Sequence, residues 1–291
     1  MKDTTYRRPV VTGLVGLLVA LAATAALSSP ARADVVPGGG DVPPVTTAPA
    51  GMFSVRRGVQ GPEGLFHSRV LLHMNMSKDS VAKPISLAPD FYYGVTDSLH
   101  FGLLHNLPMG WLTRPGAGFC LSGDDGRCPR VYNNVGFDLM YGLVFGDVHF
   151  SLHSTLYVLS LADPTPLLFT LGLTGKLHLS DGVALFLDPQ VGIAVSDRDA
   201  GVNDDMLFLP AELQFQLSAP VALKLLSGVT GQLDAFGDTY QIPVGLGLVG
   251  NVSESFDIGL RFAFDNLLGQ RPDGVDAADQ RSLSLLMHLR F

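Results

Sequence analysis

Charge is scarce in this chain. Asp, Glu, Lys and Arg make up 16% of its 291 residues, Trp occurs once and Cys twice. Few water-soluble domains carry so little charge. Long apolar runs are missing as well, except at the N-terminus. No later stretch approaches the roughly 18 apolar residues that a membrane-crossing helix needs, so a helical membrane protein is excluded beyond the leader. Basic residues are outnumbered, 19 against 27 acidic, which argues against nucleic acid as a partner. No cofactor pattern and no metal-ligand spacing stands out, and none is expected to be used. Two cysteines cannot make a disulfide scaffold or a four-cysteine metal site.

Residues 1–33 read as a secretory signal. Lys2, Arg7 and Arg8 form a positive start, Val10 to Leu27 an apolar core, and Ala31-Arg32-Ala33 a small-x-small cleavage site. Cleavage is expected after Ala33. It would take Lys and Arg from 19 to 15 and Asp and Glu from 27 to 26, for a net charge near −11. Residues 34–64 are rich in Pro and Gly, without apolar periodicity, and read as a mobile linker. Met52, Phe53 and Val55 could seat part of it on the following domain, although it is polar and short for a plug. Cys120 and Cys128 lie eight positions apart in one polar loop. After export they are expected to pair as a loop staple, stabilising by about 2.5 kcal/mol on the chain-entropy estimate.

From Leu65 to the end the chain alternates. Twelve strands are expected: 65–76, 85–95, 99–106, 131–145, 148–158, 167–179, 183–195, 207–217, 221–233, 239–250, 256–266 and 281–291. In the fifth of these, 148–158, and the eleventh, 256–266, Phe and Leu hold one face while His, Ser, Asp and Arg share the other with small residues. A soluble sandwich would carry more Lys and Glu on its outer face. Every second connection is short, as in Thr96-Asp97-Ser98, Gly146-Asp147 and Ser180-Asp181-Gly182, and the others are mostly longer and rich in Asp, Asn and Gly. The short ones turn on residues that tolerate tight-turn dihedrals. The last strand, Leu283 to Phe291, is apolar at every second position and ends on Phe.

That last strand and those hairpins resemble Gram-negative outer-membrane β-barrels, over residues 65–291. The resemblance implies a closed antiparallel up-and-down transmembrane barrel, with short turns at the periplasm and long loops outside. It also implies outer-membrane lipids and lipopolysaccharide as surroundings, and recognition of the C-terminal strand by the barrel assembly machinery. Residues 34–64 become a periplasmic linker. Tyr93, Phe101, Phe145, Phe150 and Phe256 fall where an interfacial aromatic girdle belongs.

Parity then assigns the lumen. Arg69, His73, Asp90, His100, Asp138, His149, His153, Lys176, His178, Asp188, Glu212, Lys224, Asp257, Arg261, His288 and Arg290 point inward, as does His67, whereas His105 does not. Both signs occur, and Asp138, Asp188 and Asp257 tilt the set slightly toward cations. Gly136, Gly172, Gly192 and Gly245 leave room, which favours a water-filled path. Ser151 with His153 suggests a lipid hydrolase, but residues two apart on one face lie about 6–7 Å apart, too far for a nucleophile and its base. The acidic loops around Asp124-Asp125, Asp197–Asp205 and Asp273–Asp279 read as solvated, with divalent-ion bridging to lipopolysaccharide as the sharper alternative. The expected function is passive passage of small solutes. A filled structural or adhesive barrel is the alternative, and a membrane lipid hydrolase the less favoured one.

Overall fold

The computed structural model describes residues 54–78, 80–107, 116–123, 128, 130–198, 203–271 and 273–291. The expected signal and its cleavage site, most of the linker and the Asp124-Asp125 pair lie outside the described residues. The strands are β1 (Phe66–Asn75), β2 (Ile85–Gly94), β3 (Leu99–Leu104), β4 (Phe119–Ser122), β5 (Val135–Val144), β6 (Val148–Val158) and β7 (Leu167–Ser180). They continue with β8 (Val183–Leu187), β9 (Gln190–Ala194), β10 (Met206–Ser218), β11 (Val221–Gln232), β12 (Val244–Asn251), β13 (Phe256–Phe264) and β14 (Arg281–Arg290). Strands adjacent in the wall pair antiparallel, with β3 between β2 and β5, β4 beside β2, and β8 and β9 both between β7 and β10, and β14 pairs with β1 to close the wall. At the seam Phe66 and Phe291 exchange two backbone hydrogen bonds, of 3.0 and 2.8 Å. The barrel has 12 wall positions and two extra strands, because β3 with β4, and β8 with β9, each fill one position.

Proline and one insertion explain where the strands depart from the periodicity. The expected strand 183–195 is interrupted at Asp188-Pro189, since Pro189 has no N–H to give the ladder. Its register is unchanged across the gap, from Leu187 opposite Gly175 to Gln190 opposite Gly172. Pro243 acts similarly: β12 begins at Val244, and Phe236–Thr239 before it is a single helical turn. The expected strand 99–106 stops at Leu104. The chain leaves the wall there and rejoins it as β4, beside Ile85–Leu87 of β2.

The faces are inverted relative to a soluble protein. Phe101, Phe137 and Leu260 point outward and are 47, 49 and 53% exposed, whereas Asp90, Asp138 and Asp257 point inward and are 0, 1 and 3% exposed. In water an apolar surface on this scale would cost about 25 cal/mol per Å². Against hydrocarbon it costs nothing, and the pairing of β14 with β1 removes the sheet edges those two strands would otherwise present. Tyr93, Phe101 and Phe145 are exposed near the short turns, as a girdle requires.

Candidate functional site

Two structures narrow the lumen, one from each end. At the end of the short turns, residues 54–64 lie inside the mouth. Val55 is fully buried, and its N–H donates to Gln216 Oε1 (3.3 Å). Lys176 Nζ donates to the Ser54 carbonyl (2.8 Å), Arg57 reaches Asp257 (2.5 Å), and His100 Nε2 meets the Gly61 carbonyl (2.7 Å). The barrel wall is shaped for this segment. A Cβ on Gly94 would collide with the Pro62 carbonyl. Residues 54–64 were expected to belong to a mobile linker that Val55 could help to seat; Val55 is buried, and part-buried bonds fasten the rest of the segment.

Toward the long loops, residues 105–107 after β3 and 116–118 before β4 turn inward. Their neck is pinned from both sides. Asp90 accepts from the His105 N–H (2.8 Å), Asn106 Nδ2 (2.9 Å) and Arg69 (2.7 Å). Asn134 accepts from the Gly118 N–H and donates to the His105 carbonyl, each at 2.7 Å. Beyond the neck Ala117 packs against Leu71, Ala88 and Leu286 inside the barrel. Leu104, Tyr157, Leu168 and Phe208 form a second inward apolar cluster. His105, which parity assigned away from the lumen, is buried because the wall ends one residue before it. Its imidazole contacts the Pro89 carbonyl and Tyr132, and burial holds its pKa below the ordinary value.

Between them lies a cavity of about 260 Å³. Of the residues assigned inward from sequence, Arg69, His100, His153, Lys176, Asp188, Glu212, Lys224, Asp257, Arg261 and His288 line it. Asp90, Asp138 and Arg290 stand directly behind, bonded to that lining. His73 is buried against Ser284 (3.2 Å), and the His149 and His178 rings meet edge to face at the short-turn end with centroids 5.7 Å apart. Arg57, Tyr92, Asn106 and Gln214 also line the cavity. Parity would have found Tyr92 and Gln214. Arg57 carried no sequence signal.

The aspartates expected to tilt the lumen toward cations each have a basic partner. His153 sits between Asp138 (2.7 Å) and Asp188 (2.9 Å). Asp257 takes both Arg57 and Arg290, each at 2.5 Å, and Glu212 holds Lys224 at 2.6 Å. The glycines do not widen the path either. A Cβ on Gly136 would stand 2.6 Å from the Tyr157 ring, and one on Gly172 would meet the Pro189 carbonyl; the space beside these two glycines is already filled. Met140 is opposite His153, as the turn at Gly146-Asp147 predicts. With both ring nitrogens against carboxylates, His153 is not placed as a base for Ser151. Cys120 and Cys128 form the expected disulfide, with Cα atoms 5.8 Å apart. In the acidic loops Asp205 holds Arg198 (2.6 Å), and Asp276 and Asp279 cap one short turn.

No protein-family model matches the chain, and no curated protein matches it in sequence. Solved structures do resemble it. A NanC porin aligns at a TM-score of 0.54 with 6% identity, over 77% of this chain and 98% of the porin. The COG4313 outer membrane channel from Pseudomonas putida F1 aligns at 0.51 with 13% identity, over 80% of this chain and 97% of the channel. At these identities the likeness is one of fold. The protein is thus a porin-like β-barrel, of the architecture found in the outer membrane.

Proposed function

We propose that the protein is a passive channel for small solutes in the outer membrane of a Gram-negative bacterium. The observation that carries this reading is the cavity inside the wall, lined by charged and hydrogen-bonding side chains where a purely structural barrel would pack its interior. The fold likeness to a porin and to an outer membrane channel supports it. On this reading the signal is removed after Ala33, the short turns face the periplasm, and β14 is read by the assembly machinery. The acidic outer loops lie beside lipopolysaccharide. No catalytic role is assigned to any residue.

A second reading, a structural or adhesive barrel with a filled lumen, is favoured by the two constrictions, residues 54–64 and the apolar cluster around Tyr157. Planar-bilayer recording separates the two. Discrete conductance steps from the purified, folded chain support the channel. A barrel that inserts and never conducts supports the filled lumen.

A further inference from the structure

Residues 54–64 cross the mouth at the short turns and meet the wall on all sides of it. Pro62 lies against Gly94 of β2, and the Gly61 carbonyl accepts from His100 of β3. A Cβ on Gly142 of β5 would meet Gln60 Oε1, and one on Gly58 would stand 3.1 Å from the His149 ring of β6. The Ser54 carbonyl accepts from Lys176 of β7, the Val55 N–H donates to Gln216 of β10, and Arg57 donates to Asp257 of β13. A solute moving from the cavity toward the short turns has this segment in its path.

The grip on the segment is polar, and the wall keeps partners without it. Of residues 54–64 only Val55 is buried. A segment with so little buried apolar surface can open locally while the rest of the molecule stays folded. After release, Asp257 retains Arg290 on one carboxylate oxygen and Asn251 on the other, each at 2.8 Å. Gln216 retains the Ser218 carbonyl, also at 2.8 Å. Lys176 and His100 line the cavity, where water replaces the carbonyls they give up.

The segment also has a place to turn. Gly64 stands at φ +78°, two residues before β1, with open space around the position of a Cβ. Glycine takes either sign of φ at little cost, so the backbone there can rotate while β1 stays in the sheet.

We propose that residues 54–63 are a displaceable plug, swinging out of the mouth about Gly64 before solute leaves the cavity, with the Arg57–Asp257 pair as its latch. The regulation of passage rests on the channel reading; the movement of the segment does not.

Two experiments on the full chain test it. The first places a cysteine at Val55, fully buried when the plug is seated, and follows its reaction in detergent micelles with a maleimide carrying a long polyethylene glycol. The native cysteines are paired, so no other thiol competes. Labelling of Val55→Cys should be slow, and about tenfold faster when Arg57→Gln is added, the effect of losing one hydrogen bond between charged groups. The second compares planar-bilayer recordings of Gly58→Cys with His149→Cys before and after treatment with a short bismaleimide. Replacing His149 makes room beside residue 58. The cross-link should abolish openings seen beforehand, and the reagent should leave the unaltered protein unaffected.

Conductance that survives the cross-link overturns the plug and leaves the channel standing. Labelling of Val55→Cys at the same rate with and without Arg57 overturns the latch, and it remains decisive if the doubly substituted chain does not fold. No labelling of Val55→Cys while the barrel conducts overturns the movement. Labelling accelerated by Arg57→Gln in a barrel that never conducts supports the movement and sinks the channel reading alone.

Discussion

Arg57 and Asp257, 200 residues apart in sequence, meet at 2.5 Å inside the barrel. The carboxylate is 4% exposed in its side chain, and the same oxygen also takes Arg290. This is the buried tie between the N-terminal segment and the wall. Asp257→Asn leaves two guanidinium groups facing a neutral amide. It should cost about 3–5 kcal/mol, the range for breaking a buried pair by removing one partner. Urea unfolding in micelles measures the loss. Limited trypsin digestion should show faster cleavage after Arg56 and Arg57 in the variant.

Asp90 performs the corresponding task at the other constriction. Its carboxylate is wholly buried and accepts from Arg69, the His105 N–H and Asn106. Asp90→Ala strands all three donors, and unsatisfied buried donors cost about 1–3 kcal/mol each. The expected outcome is a loss of at least 3 kcal/mol with barrel closure retained. Tm, together with the far-ultraviolet strand signal, checks both parts.

The lipid face should reject charge. Leu260 lies in the middle of β13 between Leu248 and Leu285, and is 53% exposed. Leu260→Arg should destabilise the barrel by about 2–4 kcal/mol in bilayers, the range for a charge near the membrane midplane. Unfolding titrations in lipid vesicles give the number.

The disulfide should matter modestly and locally. Cys120 and Cys128 are 8 positions apart, so the chain-entropy estimate gives about 2.5 kcal/mol. Reducing it should lower stability by that order without abolishing conductance, as measured by unfolding and bilayer recording on the same sample.

Much of the wall was legible in the sequence because a two-residue period is a strong signal. It assigned the inward parity of Asp138 and His153, and the turn at Gly146-Asp147 set Met140 opposite His153. Proline effects were less visible: Pro189 and Pro243 interrupt strands whose side-chain alternation runs on through them. The contents of the lumen were hardly legible. The inward turn after Leu104 depends on Asp90 and Asn134 reaching a neck formed by distant residues. Residues 54–64 have no periodicity, and what fastens them lies on β7, β10 and β13 and in the turn before β3. Pairing between inward charges is likewise set across strands, so a list of signs could not show which aspartates remain free.

The account depends most on which side of the wall meets lipid. Nitroxide labels placed singly at each position from Phe256 to Phe264, in barrels reconstituted into bilayers, measure this through accessibility to oxygen and to a water-soluble nickel complex. The expected pattern is high oxygen accessibility at 256, 258, 260, 262 and 264, alternating with low values at 257, 259, 261 and 263. Uniform nickel accessibility along the strand, or the opposite phase, would contradict it.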